Sequence, residues 1–384
     1  MNKKRHCSLR YCLLTLLVTA ALLLAARLNT GFAEWYARHI FPLFPYVLGR
    51  LFSPLPFSAF ELLLIVAIAG LGVLLVYSLV MLARGLAART KLRQRWRQIG
   101  PALGGLCCTL LLLYTLTCGM NDSRAPLAQA LGLTPRLYSS QDLRQLYQLL
   151  NEQAQDLAGQ INTDEAGYFS LPPLIGEAAA QGYGAKREAL PPGQAREAMR
   201  NLGHTYRVFD VYYPYPKAVL FSEGLSYLQI SGIYSPFTIE ANYNCDMPAS
   251  NIPFAICHEL AHLSGYARED EANFTAYLAC LEDGDVNFRY SGLFNAIIYV
   301  LNALYGEVGP AEYRELYNEL PLQVRRDLQQ NSNYWQSFAG RVAKISEDVN
   351  DFYLKANNQP EGVKSYGRMV DLLLAYYLDP AKTS

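Results

Sequence analysis

"FAICHELAHLSGYAREDEANFTAYLA", from Phe254 to Ala279, is the stretch on which the reading of the chain turns. Within it His258 and His262 stand four residues apart, with Glu259 between them. Ser250 and Asn251 precede Pro253, which is the pattern of a helix start: a capping side chain, then a proline in the first turn. Gly265 marks where that helix should stop. Residues four apart share a helix face. The two imidazoles can therefore converge on one metal ion, and Glu259 can reach a water beside it. Without a metal the same letters would spell a buried helix. The chain has only five histidines in 384 residues, so a chance HExxH match is improbable.

Two imidazoles need a third ligand. One class of zinc peptidase continues as HExxHxxGxxH. Gly265 fits that pattern, but the position of the last histidine is Arg268, which cannot ligate zinc. Beyond the apolar N-terminal part the only other histidine is His204, far upstream. A second class takes a glutamate from a following helix, and "EDEAN" supplies Glu269, with Glu271 and then Asp270 behind it as alternatives. Glu269 fits best. Asn273, one turn on, could hydrogen-bond a ligating histidine, and Ala272 is small enough for two helices to approach closely. Against a ligand role, three acids at a helix start are also favoured by the helix dipole alone.

With zinc held by His258, His262 and Glu269, a fourth position stays open for water. Glu259 would take that water's proton during attack on a carbonyl. A separate donor should steady the oxyanion. Tyr290 in "FRYSG" is the candidate and Tyr299 a second, although in a chain with 28 tyrosines either could be packing only. "GIYSPFTIEANYN" could give an edge strand along which a peptide lies. Cys257 should face away from the site as a buried thiol, and Cys245 with Cys280 could pair in an oxidising exterior.

Working outward, apolar residues make up 51% of the chain and charged residues 17%. The excess is concentrated in three runs near 11–27, 60–83 and 102–119. The second and third suit membrane spans, while the first is short enough to be either an anchor or a signal sequence. Lys3, Lys4, Arg5 and Arg10 precede the first run, and "RGLAARTKLRQRWR" between the second and third carries six basic residues and no acid. The excess of basic residues places both on the cytoplasmic side, which puts everything after about Asn121 outside. Zero formal net charge gives no support to nucleic-acid binding.

The expected architecture is thus a membrane region, residues 1–120, followed by a mainly helical α+β domain over 121–384. "SSQDLRQLYQLLNEQAQDLAGQI" predicts a serine-capped helix, and "LPPG" at 190–193 a turn before another. "KAVLFSEGLSYLQISGIYSPFTIEANYN" predicts two or three short strands, and "SYGRMVDLLLAYYL" at 365–378 a packed terminal helix.

"PFS" at 56–58, "SGIYSPFTIEAN", "HELAHLSGYAREDEANF" and "RYSG", together with the three apolar runs, resemble an uncharacterised bacterial membrane family, domain of unknown function 3810, over nearly the whole chain. The segment round Glu269 is also similar to the E-x-x-A-[DN] segment of gluzincin peptidases. The resemblance implies a zincin-like domain, with His258, His262 and Glu269 as zinc ligands and Glu259 as base. Asn273 stands where many gluzincins have aspartate. The resulting expectation is a multi-pass protein of a bacterial cytoplasmic membrane whose zinc-dependent outer domain hydrolyses a peptide or protein substrate. The alternatives are a non-catalytic, zinc-containing envelope protein that binds a partner, and an intramembrane protease. The apolar stretch round HELAH is too short for the last.

Overall fold

The computed structural model describes residues 2–84, 86–136, 138–171, 191–357, 359, 362 and 367–378. Helix α1 is Asn2–Leu28, α2 is Thr30–His39, α3 is Ala59–Ala83 and α4 is Leu86–Tyr114. A wider turn, Thr115–Gly119, continues α4. Among the described residues three segments, Ser8–Leu28, Ala59–Ala83 and Ala88–Ser123, are long and apolar enough to cross a membrane. Their apolar side chains are mostly exposed, as lipid-facing side chains must be. Tyr11 and Thr109 share a hydrogen bond of 2.7 Å that ties α1 to α4.

The second apolar run agrees with α3 to within a residue. The third does not. "RTKLRQRWR", expected as a loop, is the first part of α4. Lys, Leu, Arg and Gln are good helix formers, and local propensity carries the helix through the charged segment.

The chain after Asn121 is mainly helical. It comprises α5 Ser140–Ala158, α6 Pro191–Thr205, α7 Ile252–His262, α8 Glu269–Glu282 and α9 Val286–Glu307. Then follow α10 Pro310–Glu319, α11 Leu322–Ser337, α12 Arg341–Ala356 and α13 Met369–Tyr377. Ser139 and Asp142 form a reciprocal capping box at the start of α5, as the serine-led pattern requires. "LPPG" is a helix start rather than a separate turn: Pro191 to Gly193 form the first turn of α6, where a missing N–H costs nothing; Leu190 lies outside the described residues. The terminal helix begins at Met369 and is mostly buried; residues 365 and 366 lie outside the described residues.

Three short strands make one sheet: β1 Lys217–Ala218, β2 Gly232–Ser235 and β3 Glu240–Tyr243, in the order β1-β3-β2. β2 runs antiparallel to β3, with Tyr234 opposite Ala241. It is one of the two edge strands, and α7 packs against it and β3. Between β1 and β2 the chain forms a short helical turn, Ser222–Tyr227.

α7 is buried on all sides between β3, α6, α8 and α9. Pro253 stands in its first turn as expected, but the side-chain cap does not form. Neither Ser250 nor Asn251 caps it with a side chain. The Phe254 N–H is instead taken by the Ser291 hydroxyl of α9 at 3.2 Å, while Asn251 donates to Asn331. Packing of a neighbouring helix supplies a partner that a local cap would otherwise give.

The Cys245–Cys280 pairing that the sequence left open is not formed. Cys280 sits fully buried beside Cys257, where α7 and α8 pack, and Cys245 lies against the Ser222 hydroxyl at 3.3 Å. The two sulfurs belong to different parts of the core.

Two carboxylates join the sheet region to the start of α3. Glu240 of β3 accepts the N–H groups of Ala59 and Phe60 at 3.1 and 2.9 Å. Glu61, in the first turn of α3, accepts those of Leu220 and Phe221, both at 2.9 Å. The positive end of α3 and its free N–H groups stabilise a buried Glu240. Glu240→Ala leaves those donors without a protein partner and should cost about 1–3 kcal/mol. Thermal unfolding of the full chain in detergent checks this; an unchanged midpoint would show that the contact does not hold the junction.

Candidate metal centre

Helical spacing puts His258 and His262 on one face of α7, with ring centroids 4.9 Å apart. Gly265 then adopts φ +85°, a left-handed conformation that glycine takes without strain. The chain turns back there, and α8 begins at Glu269. The Glu269 carboxylate reaches both rings: Oε2 lies 3.1 Å from His258 Nε2 and 3.9 Å from His262 Nε2. Among the described residues, His258, His262 and Glu269 form the one group whose potential ligand atoms gather in this way, all within 4.8 Å of one another.

The far nitrogens are held too. His258 Nδ1 lies 2.8 Å from Asn273 Oδ1, and His262 Nδ1 lies 2.9 Å from the Tyr266 carbonyl. Both partners accept, so each Nδ1 carries a hydrogen and each Nε2 is the ring atom turned toward Glu269. Asn273 is one turn beyond Glu269 on α8, and Ala272 beside it is fully buried in the contact with α7.

The neighbouring acids point elsewhere. Glu271 is bound by Arg268 at 2.7 Å and by the Leu127 N–H at 2.7 Å. Arg268, the residue that excluded the three-histidine pattern, thus engages the acid that was second choice as ligand. Asp270 is not part of the converging group.

Glu259 is buried beside the cluster against the edge strand β2. A Cβ at Gly232 would lie 2.5 Å from Glu259 Oε1 and 2.7 Å from its Cγ. The Tyr234 backbone N–H bonds to this carboxylate, and the Tyr234 ring lies 6.0 Å from the His262 ring. Burial pushes the Glu259 carboxyl up to about 8, although the His258 charge opposes it. Burial alone would lower His258, but the Glu269 carboxylate outweighs it and holds the imidazole up to about 9. Burial keeps His262 below the ordinary range, with Glu269 pulling the other way. Glu259, His258 and His262 are thus shifted by burial and by their charged neighbours, and shifts of this kind are commoner at functional sites than elsewhere.

Tyr290, expected as an oxyanion donor, gives its hydroxyl to Asp327 at 2.5 Å and stacks on Phe169. Tyr299 of α9 is the tyrosine beside Asn273 and within electrostatic reach of Glu269. Gly232 and Tyr234 were not singled out in the sequence. A glycine opening a strand is a signal of close approach, but nothing local says to what.

The architecture and site define a class: a protein with three potential membrane-crossing helices and a helical body that brings two histidines and a glutamate together. The chain belongs to the family described as "Protein of unknown function (DUF3810)", which matches residues 36–374. No curated protein and no solved structure matches the chain.

Gly232→Ala should force Glu259 from its place and destabilise by about 1–3 kcal/mol, the usual cost of overpacking. In the double variant with Glu259→Ala that cost should largely vanish. Additive losses in thermal unfolding would show that the two residues do not touch.

Proposed function

We propose that this protein is a membrane-anchored zinc-dependent peptidase acting outside a bacterial cytoplasmic membrane. The observation that carries the reading is the convergence of His258 Nε2, His262 Nε2 and Glu269 Oε2, with Glu259 on the same helix as the histidines. Tetrahedral zinc with ligands at about 2.0–2.2 Å sets neighbouring ligand atoms about 3.4 Å apart. The separations of 3.1 and 3.9 Å bracket that value. Two neutral imidazoles and a carboxylate are a common catalytic zinc set, with one position left for water. The basic residues at the N-terminus and in the charged first part of α4 favour a cytoplasmic placement for those segments, which puts the site on the other side.

When bound, zinc would supply Lewis acidity to the scissile carbonyl and to the attacking water. The chain's own residues do the rest. Glu259 accepts the proton of the water and is positioned to pass it to the leaving amine. Asn273 and the Tyr266 carbonyl fix the ring orientations. Tyr299 is better placed than Tyr290 to meet a developing negative charge, since the Tyr290 hydroxyl is engaged by Asp327. β2 is the sheet edge beside Glu259, and an extended peptide could add to it.

Glu259→Gln should keep stoichiometric zinc and lose turnover by a factor of about 10² or more. Metal analysis of the purified full chain, followed by a peptide-library digest of both forms, checks this. Equal digestion by the variant would sink the mechanism; stoichiometric zinc without any digestion would favour the alternative, a zinc-containing partner-binding protein. His258→Ala should lose both zinc and turnover.

Zinc competes with a proton for His258 Nε2. Because Glu269 holds that imidazole up to about 9, the proton must leave for zinc to bind at neutral pH. Apparent affinity should therefore rise with pH, by up to tenfold per unit between about pH 6 and 8. Competition titration with a zinc chelator at several pH values checks the slope.

A further inference from the structure

Helix α12 presents an apolar face that no described residue covers. Val342, Ile345, Val349 and Phe352 recur at three- and four-residue spacing and so line one side. All four are more than half exposed, Phe352 at 74%. Lys344, Glu347, Asp351 and Lys355 recur on a different side, and Leu354 is the residue turned fully into the protein. A continuous apolar stripe of this kind marks a contact surface rather than ordinary solvent exposure.

The position of α12 decides what the stripe meets. Its C-terminal end is bonded to the ends of two potential membrane-crossing helices. The Tyr114 hydroxyl, at the end of α4, donates to Asn357 Oδ1 at 2.8 Å and lies 3.1 Å from the Tyr353 hydroxyl. Arg27, at the end of α1, donates to the Ala356 carbonyl at 3.2 Å. A second apolar point has the same relation to the third helix. Leu220 and Phe221 are 83% and 70% exposed, and their backbone N–H groups bond to Glu61 in the first turn of α3. Both exposed features are thus tied to the same end of the helical bundle, where a bilayer's polar–apolar boundary would fall.

We propose that α12 and the Leu220–Phe221 tip lie in the interfacial layer of the lipid bilayer, so that the globular part is seated on the membrane as well as joined to it. An interfacial helix buries its apolar face about 5–10 Å into the boundary and keeps its charged side in water. At about 1.5 Å per residue, sixteen residues give α12 roughly 24 Å of length in that plane. Its charged residues are balanced, Arg341, Lys344 and Lys355 against Glu347, Asp348 and Asp351, so charge does not select anionic lipid; burial of apolar area supplies the attraction. The seat is independent of whether the metal centre cuts anything.

The test uses the full chain reconstituted in phosphatidylcholine vesicles, with or without bromine on the acyl chains. Val349→Trp and Leu220→Trp each add a fluorophore on a proposed lipid-facing position, and Glu347→Trp adds one on the charged side. The added emission, taken as the difference from the parent protein, should fall by about half or more in brominated vesicles for the first two and stay unchanged for Glu347→Trp. Adding anionic lipid should not alter this pattern. Equal quenching at positions 349 and 347, or none at 349, overturns the proposal. Lack of quenching at 349 in a protein that runs as a dimer would assign the stripe to a second copy instead, and also overturns it.

Discussion

The contact of Glu269 with His258 and His262 constrains the middle of the chain more than any other interaction. Three ionisable groups lie among apolar helices, where an isolated charge would be far more costly than a paired one. Each answers another: the carboxylate faces both Nε2 atoms, and each Nδ1 has an acceptor. This arrangement requires α7 and α8 to meet at close range and at a fixed register. Ala272 allows the approach, and Gly265 allows the reversal that brings Glu269 back within seven residues of His262.

The surrounding polar contacts transmit that constraint outward. Arg124 donates to the Ser264 carbonyl at 2.9 Å, lies over the Tyr266 ring at 4.1 Å and pairs with Glu34 at 3.0 Å. Tyr266 in turn offers the carbonyl that orients His262. The turn after the histidines is therefore fastened to α2, just past the first potential span. Lys217 of β1 donates to the Ser53 carbonyl at 2.8 Å and also to that of Leu55, which fastens the sheet to the segment before α3. With Glu240 and Glu61, these are buried or half-buried charged groups satisfied by backbone. Such contacts are lost as a set when the two parts separate, so the globular part is not a freely swinging attachment to its helices.

Much of this was legible in the sequence, for identifiable reasons. The metal-ligand candidates follow from helical spacing, which is local, and from the scarcity of histidine. The choice of Glu269 over Glu271 rested on the spacing to Ala272 and Asn273; that Arg268 engages Glu271 is a pairing no local pattern gives. The apolar runs were legible because length and composition decide them; the true start of α4 was not, because helix propensity runs on through charged residues. The caps of α7, the neighbour of Cys280 and the partner of Tyr290 are long-range packing outcomes. Ser291, Cys257 and Asp327 supply them from other parts of the chain, and no local pattern announces such pairings.

The edge strand adds a fourth close contact beside the three converging side chains. Gly232 has no side chain, so Glu259 can lie against the β2 backbone, where the Tyr234 N–H bonds to it. The proposed base would have to lie close both to a water at the three converging side chains and to a peptide along β2, and this placement meets both demands. The same closeness excludes any side chain at position 232 while Glu259 keeps its place. A helix that only needed to be buried would not require a glycine there, since an alanine would fill the same space and lose less entropy on folding. The glycine is explained by the carboxylate, and the burial of that carboxylate beside the two histidines is what the proposed role of base would require.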